Sequence, residues 1–132
     1  MPSTDSMPCP CGNPAGYKAC CGRLHEGQIA ASAEQLMRAR YSAYVLKRED
    51  FLLASWHASS RPASLGLAAQ QPAPRWLGLD IRQHRELDEN HASVEFVARY
   101  RLAGGSAQRQ HETSRFMRED GQWYYLDGQM KN

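Results

Sequence analysis

Four cysteines, Cys9, Cys11, Cys20 and Cys21, fall within thirteen residues, and the chain has no others. The spacing C-x-C-x8-C-C brings two close pairs of sulfurs to the ends of one short loop. Four thiolates close a tetrahedron around Zn²⁺ at Zn–S bonds of about 2.3 Å, the usual composition of a structural zinc site. The intervening Gly12-Asn-Pro-Ala-Gly-Tyr-Lys-Ala19 is rich in residues that let a chain turn back on itself. Zinc is the favoured reading. Disulfides between the two pairs, an iron–sulfur centre or a redox thiol site are the alternatives. His25 lies close enough to replace a sulfur, but four cysteines fill the shell, so it is expected at the surface.

Residues 1–8 have neither a basic start nor an apolar run. The expectation is a reducing, cytoplasmic compartment, which favours metal over disulfides. A Cys₄ shell leaves no vacant coordination position, so the metal is expected to be structural rather than hydrolytic. Tyr17, Lys18 and Arg23, with Leu24, would surround it and offer a surface to a protein partner. One ring and two cations are the minimum for a single-strand RNA contact, so specific nucleic-acid binding is not expected.

Other candidates for chemistry are scattered. Arg38, Tyr41, His57, Glu112, Arg115 and Trp123 are the residues expected to line a pocket between helix and sheet. Adjacent strand residues face opposite ways, so His111 and Glu112 cannot form a dyad. Glu112 is expected to pair with Arg38 or Arg40 as an ordinary buried ion pair. His57 is expected at a helix end, near terminal carbonyls. Phosphate-loop and hydrolase motifs are missing from the sequence, so an enzyme is the less favoured class.

These residues need elements to hold them. With 132 residues, 42% hydrophobic and 23% charged, the chain has the profile of a globular protein with one ordinary domain and an appendage. No apolar run reaches the roughly 20 residues of a membrane helix, and a net charge of +2 points to no particular partner. Residues 1–27 lack periodicity and should gain their order from the metal. Residues 28–132 form the larger domain.

Ser32 with Gln35 reads as a capping box, and Leu36, Met37, Tyr41, Tyr44 and Val45 recur at helical spacing. Asp50 is expected to cap a second helix, Phe51 to Trp56. Residues 57–75 read as an irregular connection. Thereafter the period is two. Leu77, Leu79 and Ile81 alternate in a first strand, and Ala92, Val94, Phe96, Ala98, Tyr100 and Leu102 in a second. A third runs over 107–118 and a short aromatic one over 122–126, with turns at 88–90, 104–105 and 120–121. Helices followed by an antiparallel meander make an α+β domain.

The motif Cys9-Pro-Cys-Gly12 followed by Tyr17-Lys-Ala-Cys-Cys-Gly22 resembles the SEC-C motif, the small zinc module in the tail of the translocase ATPase SecA. Leu36-Met-Arg-Ala-Arg-Tyr-Ser-Ala-Tyr-Val45, Trp56-His57, Arg61-Pro62, Val94-Glu-Phe-Val-Ala-Arg-Tyr100, His111-Glu-Thr-Ser-Arg-Phe116 and Trp123-Tyr-Tyr-Leu-Asp-Gly128 resemble the bacterial YchJ family. The resemblance spans about Cys9 to Gly128. It departs at Gly12-Asn-Pro-Ala15, where the motif usually reads Gly-Ser-Gly-Lys. It implies a domain similar to nuclear transport factor two, a curved four-stranded sheet wrapped over a helix. It also implies Zn²⁺ as cofactor and a protein partner, a chaperone such as SecB or the ribosome. That fold often holds a pocket, so a small enzyme or ligand carrier is the alternative.

Overall fold

The computed structural model describes residues 7–70 and 73–131. Residues 1–6 of the cysteine segment, and Gln71 and Pro72 of the irregular connection, lie outside the described residues. The chain runs through a 3-10 turn at Tyr17–Ala19, helices α1 (Cys21–His25), α2 (Ala33–Val45) and α3 (Glu49–Ala54), and a second 3-10 turn at Leu67–Ala69. Strands β1 (Arg75–Asp88), β2 (His91–Arg101), β3 (Ala107–Glu119) and β4 (Gln122–Met130) follow. They form one antiparallel sheet in the order β1-β2-β3-β4, joined by sequential hairpins.

α2 starts where its cap places it. The Ser32 hydroxyl accepts from the Gln35 amide at 3.1 Å, and the Gln35 side chain returns to the amide of Ala31 at 2.6 Å. The second half of that box thus closes one residue earlier than the usual pattern. α3 differs from expectation. It begins at Glu49, its N-cap is Arg48, and no side chain caps it. Asp50 sits inside the first turn and pairs with Arg48. Leu52 is the one buried residue of α3.

The sheet curves at irregularities. β1 shifts register against β2 at three places, the first between Trp76 and Gly78, and β3 shifts against β4 beside Phe116. Each bulge adds local twist and re-aims the residues beyond it. The first one corrects the expected alternation. Trp76 turns inward against Tyr41 and Tyr100, whereas Leu77 falls in the bulge and is exposed. Leu102 lies beyond the end of β2 and is exposed too. β4 reaches Met130, four residues past the expected end, because it continues its ladder with β3 to Glu112.

The core lies between α2 and the concave sheet face, with Leu36, Met37 and Tyr41 over Val94, Phe96 and Phe116. It extends to the other side of α2 as well. Cys9, Cys11, Cys21 and Leu24 belong to the same buried cluster as Ala33, Leu36 and Ala39. The small residues Ala33, Ala39, Ser42 and Ala43 are fully buried and let the cysteine segment approach the helix closely. α2 is therefore covered on two sides. The cysteine segment packs into the core rather than hanging from it.

Candidate metal centre

The four Sγ atoms lie within 4.8 Å of one another. Cys11 and Cys20 are 3.7 Å apart, and Cys20 and Cys21 4.0 Å. A tetrahedron with 2.3 Å bonds has edges of about 3.8 Å, so the cluster has the dimensions of a single thiolate-bound ion. Disulfides do not form: all four cysteines are free.

The local backbone explains the convergence. The Gly12 amide bonds back to the Cys9 carbonyl at 3.1 Å, and Gly12 has φ +90, a conformation glycine adopts without strain. This turn presents Cys9 and Cys11 on one side. The opposite pair comes from the start of α1. There Gly22 passes beneath the Tyr17 carbonyl, and a Cβ at Gly22 would stand 2.7 Å from that oxygen. Only glycine permits this approach.

The electrostatics call for a cation. Hydrogen bonds with Cys11 and Cys21 hold the Cys9 thiol far below its usual pKa. Burial, with the crowding sulfurs, pushes Cys20 up to about 11. Cys21 is driven up strongly by its hydrogen bonds to Cys11 and Cys9. A thiolate is favoured at Cys9, and Cys20 and Cys21 are held protonated. Each further thiolate pair at about 4 Å repels by about 4 kcal/mol at an effective dielectric near 20. A divalent ion reverses that balance, so the donor set fits a metal.

Surrounding groups brace the cluster. Ser42 of α2 lies 3.7 Å from Cys9 Sγ, Arg38 donates to the Cys11 carbonyl at 3.3 Å, and Arg23 to the Cys20 carbonyl at 3.4 Å. The two guanidinium charges offset part of the excess on four thiolates. His25 is not at the surface but buried, 8% exposed. Its Nε2 donates to the Ala39 carbonyl at 2.8 Å, which leaves Nδ1 to accept from the Tyr17 hydroxyl at 2.5 Å. Burial lowers its pKa, so the neutral ring is favoured. Sequence reasoning missed this tether, since its partners lie 8 and 14 residues away. Leu24 is buried as well and presents no surface. Lys18 and Arg23 are exposed, whereas Tyr17 is half-buried with its hydroxyl turned inward.

A cavity of about 170 Å³ lies between α2 and the sheet. Of the six expected pocket residues, Tyr41 and Glu112 line it. The other four are elsewhere. Arg38 braces the cysteines and pairs with Glu34. His57 bonds Glu119 and Ser59 near the β3–β4 turn, away from any carbonyl role. Arg115 pairs with Asp127 on the far sheet face, and Trp123 packs near Leu24 and Phe51. Residue type suggested these six, but helical phase and strand parity decide which way each points.

Arg40, Tyr44, Trp76 and Tyr125 complete the wall. Arg40 is 3% exposed and forms no ion pair with Glu112. It donates instead to the Leu52 carbonyl at 2.9 Å and Ser55 Oγ at 2.7 Å, between the rings of Trp56 and Tyr125. Burial lowers it to about 10, so it stays cationic. Glu112 accepts from Ser114 at 2.5 Å and Gln110 at 3.2 Å. Burial raises Tyr41, Tyr44 and Tyr125, so their hydroxyls remain donors at neutral pH. Glu112 thus shares the cavity wall with the cationic Arg40 and three tyrosine hydroxyls.

The comparisons agree with this architecture. A family model described as YchJ, middle NTF2-like domain, matches residues 32–128. A UPF0225 protein of Xanthomonas campestris pv. campestris (strain 8004) is 56% identical over 126 residues, covering 96% of this chain and 97% of its own. Another from Methylibium petroleiphilum is 56% identical over 126 residues, covering 94% and 89%. The solution structure of a SEC-C motif containing protein from Rhodopseudomonas palustris matches at a TM-score of 0.84 and 35% identity, covering 96% of this chain and all of that one.

Proposed function

The chain belongs to the YchJ family, alongside the UPF0225 proteins, and on that premise we propose that it is a zinc-binding cytoplasmic protein whose SEC-C-like segment recognises a protein partner. The observation that carries this reading is the set of four sulfurs within 4.8 Å, mounted on α2 by the His25 tether and the buried Leu24. Zn²⁺ suits the all-thiolate donor set, and the cytoplasm keeps those thiols reduced. When bound, the ion supplies order and charge balance rather than reactivity.

Cys9, Cys11, Cys20 and Cys21 would hold the ion, and the exposed Lys18 and Arg23 would meet the partner. The SEC-C resemblance suggests the ribosome or SecB in that role. Cosedimentation with purified ribosomes and titration against purified SecB test it. Binding to either should fall at least tenfold in Lys18→Glu, with metal content unchanged. Loss of neither interaction in that variant, or no binding at all, would sink the partner reading.

The cavity beside Arg40 and Glu112 supports a second reading, a ligand carrier. Its protonated tyrosines and single carboxylate favour retention of a small polar ring over catalysis.

A further inference from the structure

Four arginines share one patch on the sheet face turned away from α2. Arg75 stands directly opposite Arg101 across β1 and β2, and Arg99 opposite Arg109 across β2 and β3. Arg99 and Arg101 are two residues apart on one strand, so all four project to the same side. Phe96 and Ala98, of opposite parity, face the cavity under α2. The four guanidinium groups make a connected track over three strands. Strand rise and strand spacing put it within a field of roughly 7 by 10 Å.

All four side chains are exposed, and among the described residues none has a carboxylate within ion-pair distance. Elsewhere on this face charged groups have partners, Arg115 with Asp127 and Arg82 with Asp80, while the exposed Arg85, opposite Ser93, adds a further cation farther along β1. The adjoining loop, residues 102–106, brings no acid. Like charges directly opposite one another on a sheet cost stability. Here two such pairs stand together without compensation. An anion lying along the track would turn that cost into attraction.

We propose that this patch binds the phosphate backbone of RNA without reading its sequence. The planar fork of arginine matches phosphate oxygens in bidentate geometry. Phosphate contacts carry no sequence information, and the neighbouring rings of Trp76 and Tyr100 turn to the α2 side, away from a base on this face. An acidic protein partner normally anchors an apolar residue in a pocket, and a membrane surface needs a wider apolar fringe. Leu77 and Leu102, 41% and 38% exposed, supply neither. This surface lies on the face opposite α2 and does not depend on the metal reading.

The test uses the full metal-loaded chain and two fluorescently labelled single-stranded RNAs of unrelated sequence, each about 20 nucleotides long. Both should bind with similar affinity. Log K against log salt should have a slope of about −3 between roughly 50 and 200 mM, as expected for four phosphates on a single strand. Arg99→Ser/Arg109→Ser should bind at least tenfold more weakly and bring the slope to about −1.4. It should melt no lower than the parent, as the exposed repulsion is relieved. Lys18→Glu should bind RNA within about twofold of the parent, which separates this surface from the partner site. The proposal is overturned by no RNA binding at the low-salt end, or by equal binding in the serine variant. Tighter binding to phosphatidylserine vesicles or to polyglutamate than to RNA also overturns it.

Discussion

At the scale of single residues, the cysteines and His25 do different work. The cysteines were legible because four sulfurs at C-x-C-x8-C-C have few other uses in one short segment. Their burial was not legible, because it depends on the small residues of α2. His25 was misread for the same reason: its acceptor, the Ala39 carbonyl, comes from a helix 14 residues on. Its tether has a pH signature. Burial lowers the folded pKa below the ordinary 6.5, so the unfolded chain binds the proton more readily. Stability from this group is therefore complete above pH 6.5 and declines as pH falls below it. The urea midpoint should drop between about pH 7.5 and 5.5. In His25→Gln it should start lower and change less over that window. A variant with the parent's pH dependence would show that His25 does not contribute. Metal content measured at each pH separates this effect from acid release of the ion.

At the scale of elements, close approaches decide the local folds. Gly22→Ala would place a methyl 2.7 Å from the Tyr17 carbonyl. It should cost about 1–3 kcal/mol, as overpacking does, and weaken metal retention by displacing Cys21. Unchanged stability and zinc affinity in that variant would refute this account of the turn. Leu52 is the fully buried side chain of α3, with Phe51 packed against the core beside it. Leu52→Ala should cost about 2–5 kcal/mol in equilibrium unfolding. A cost below about 1 kcal/mol would mean that α3 is held by the backbone pairing of residues 55–57 with Tyr125 instead.

Helix and strand periodicity placed α2 and all four strands, since the sheet and one face of the helix obey simple periods. Periodicity failed at the β1 bulge. A shift of one residue exchanges faces, and Leu77 and Trp76 traded places accordingly. It also failed along α2, where alanines and Ser42 look unremarkable in sequence yet form the seat of the cysteine segment. The pocket suffered most. Arg40 enters it and Arg38 does not because they differ by about 200° around the helix.

At the scale of the whole molecule, the cysteine segment and the α+β domain share one core. Sequence patterning suggested one ordinary domain with an appendage that takes its order from the metal. The buried cluster that joins Cys9, Cys11 and Cys21 to Leu36 and Ala39 argues otherwise. Removing the metal should lower the melting temperature of the entire chain in a single transition. A melt insensitive to chelator would point to a detached module.

Native mass spectrometry of protein purified under reducing conditions with zinc supplied goes most directly to the centre of this account. One zinc per chain is expected, and it should be lost on substitution of Cys9 or Cys21 by serine. Protein of native mass that carries no metal, or retains it without these sulfurs, would contradict it.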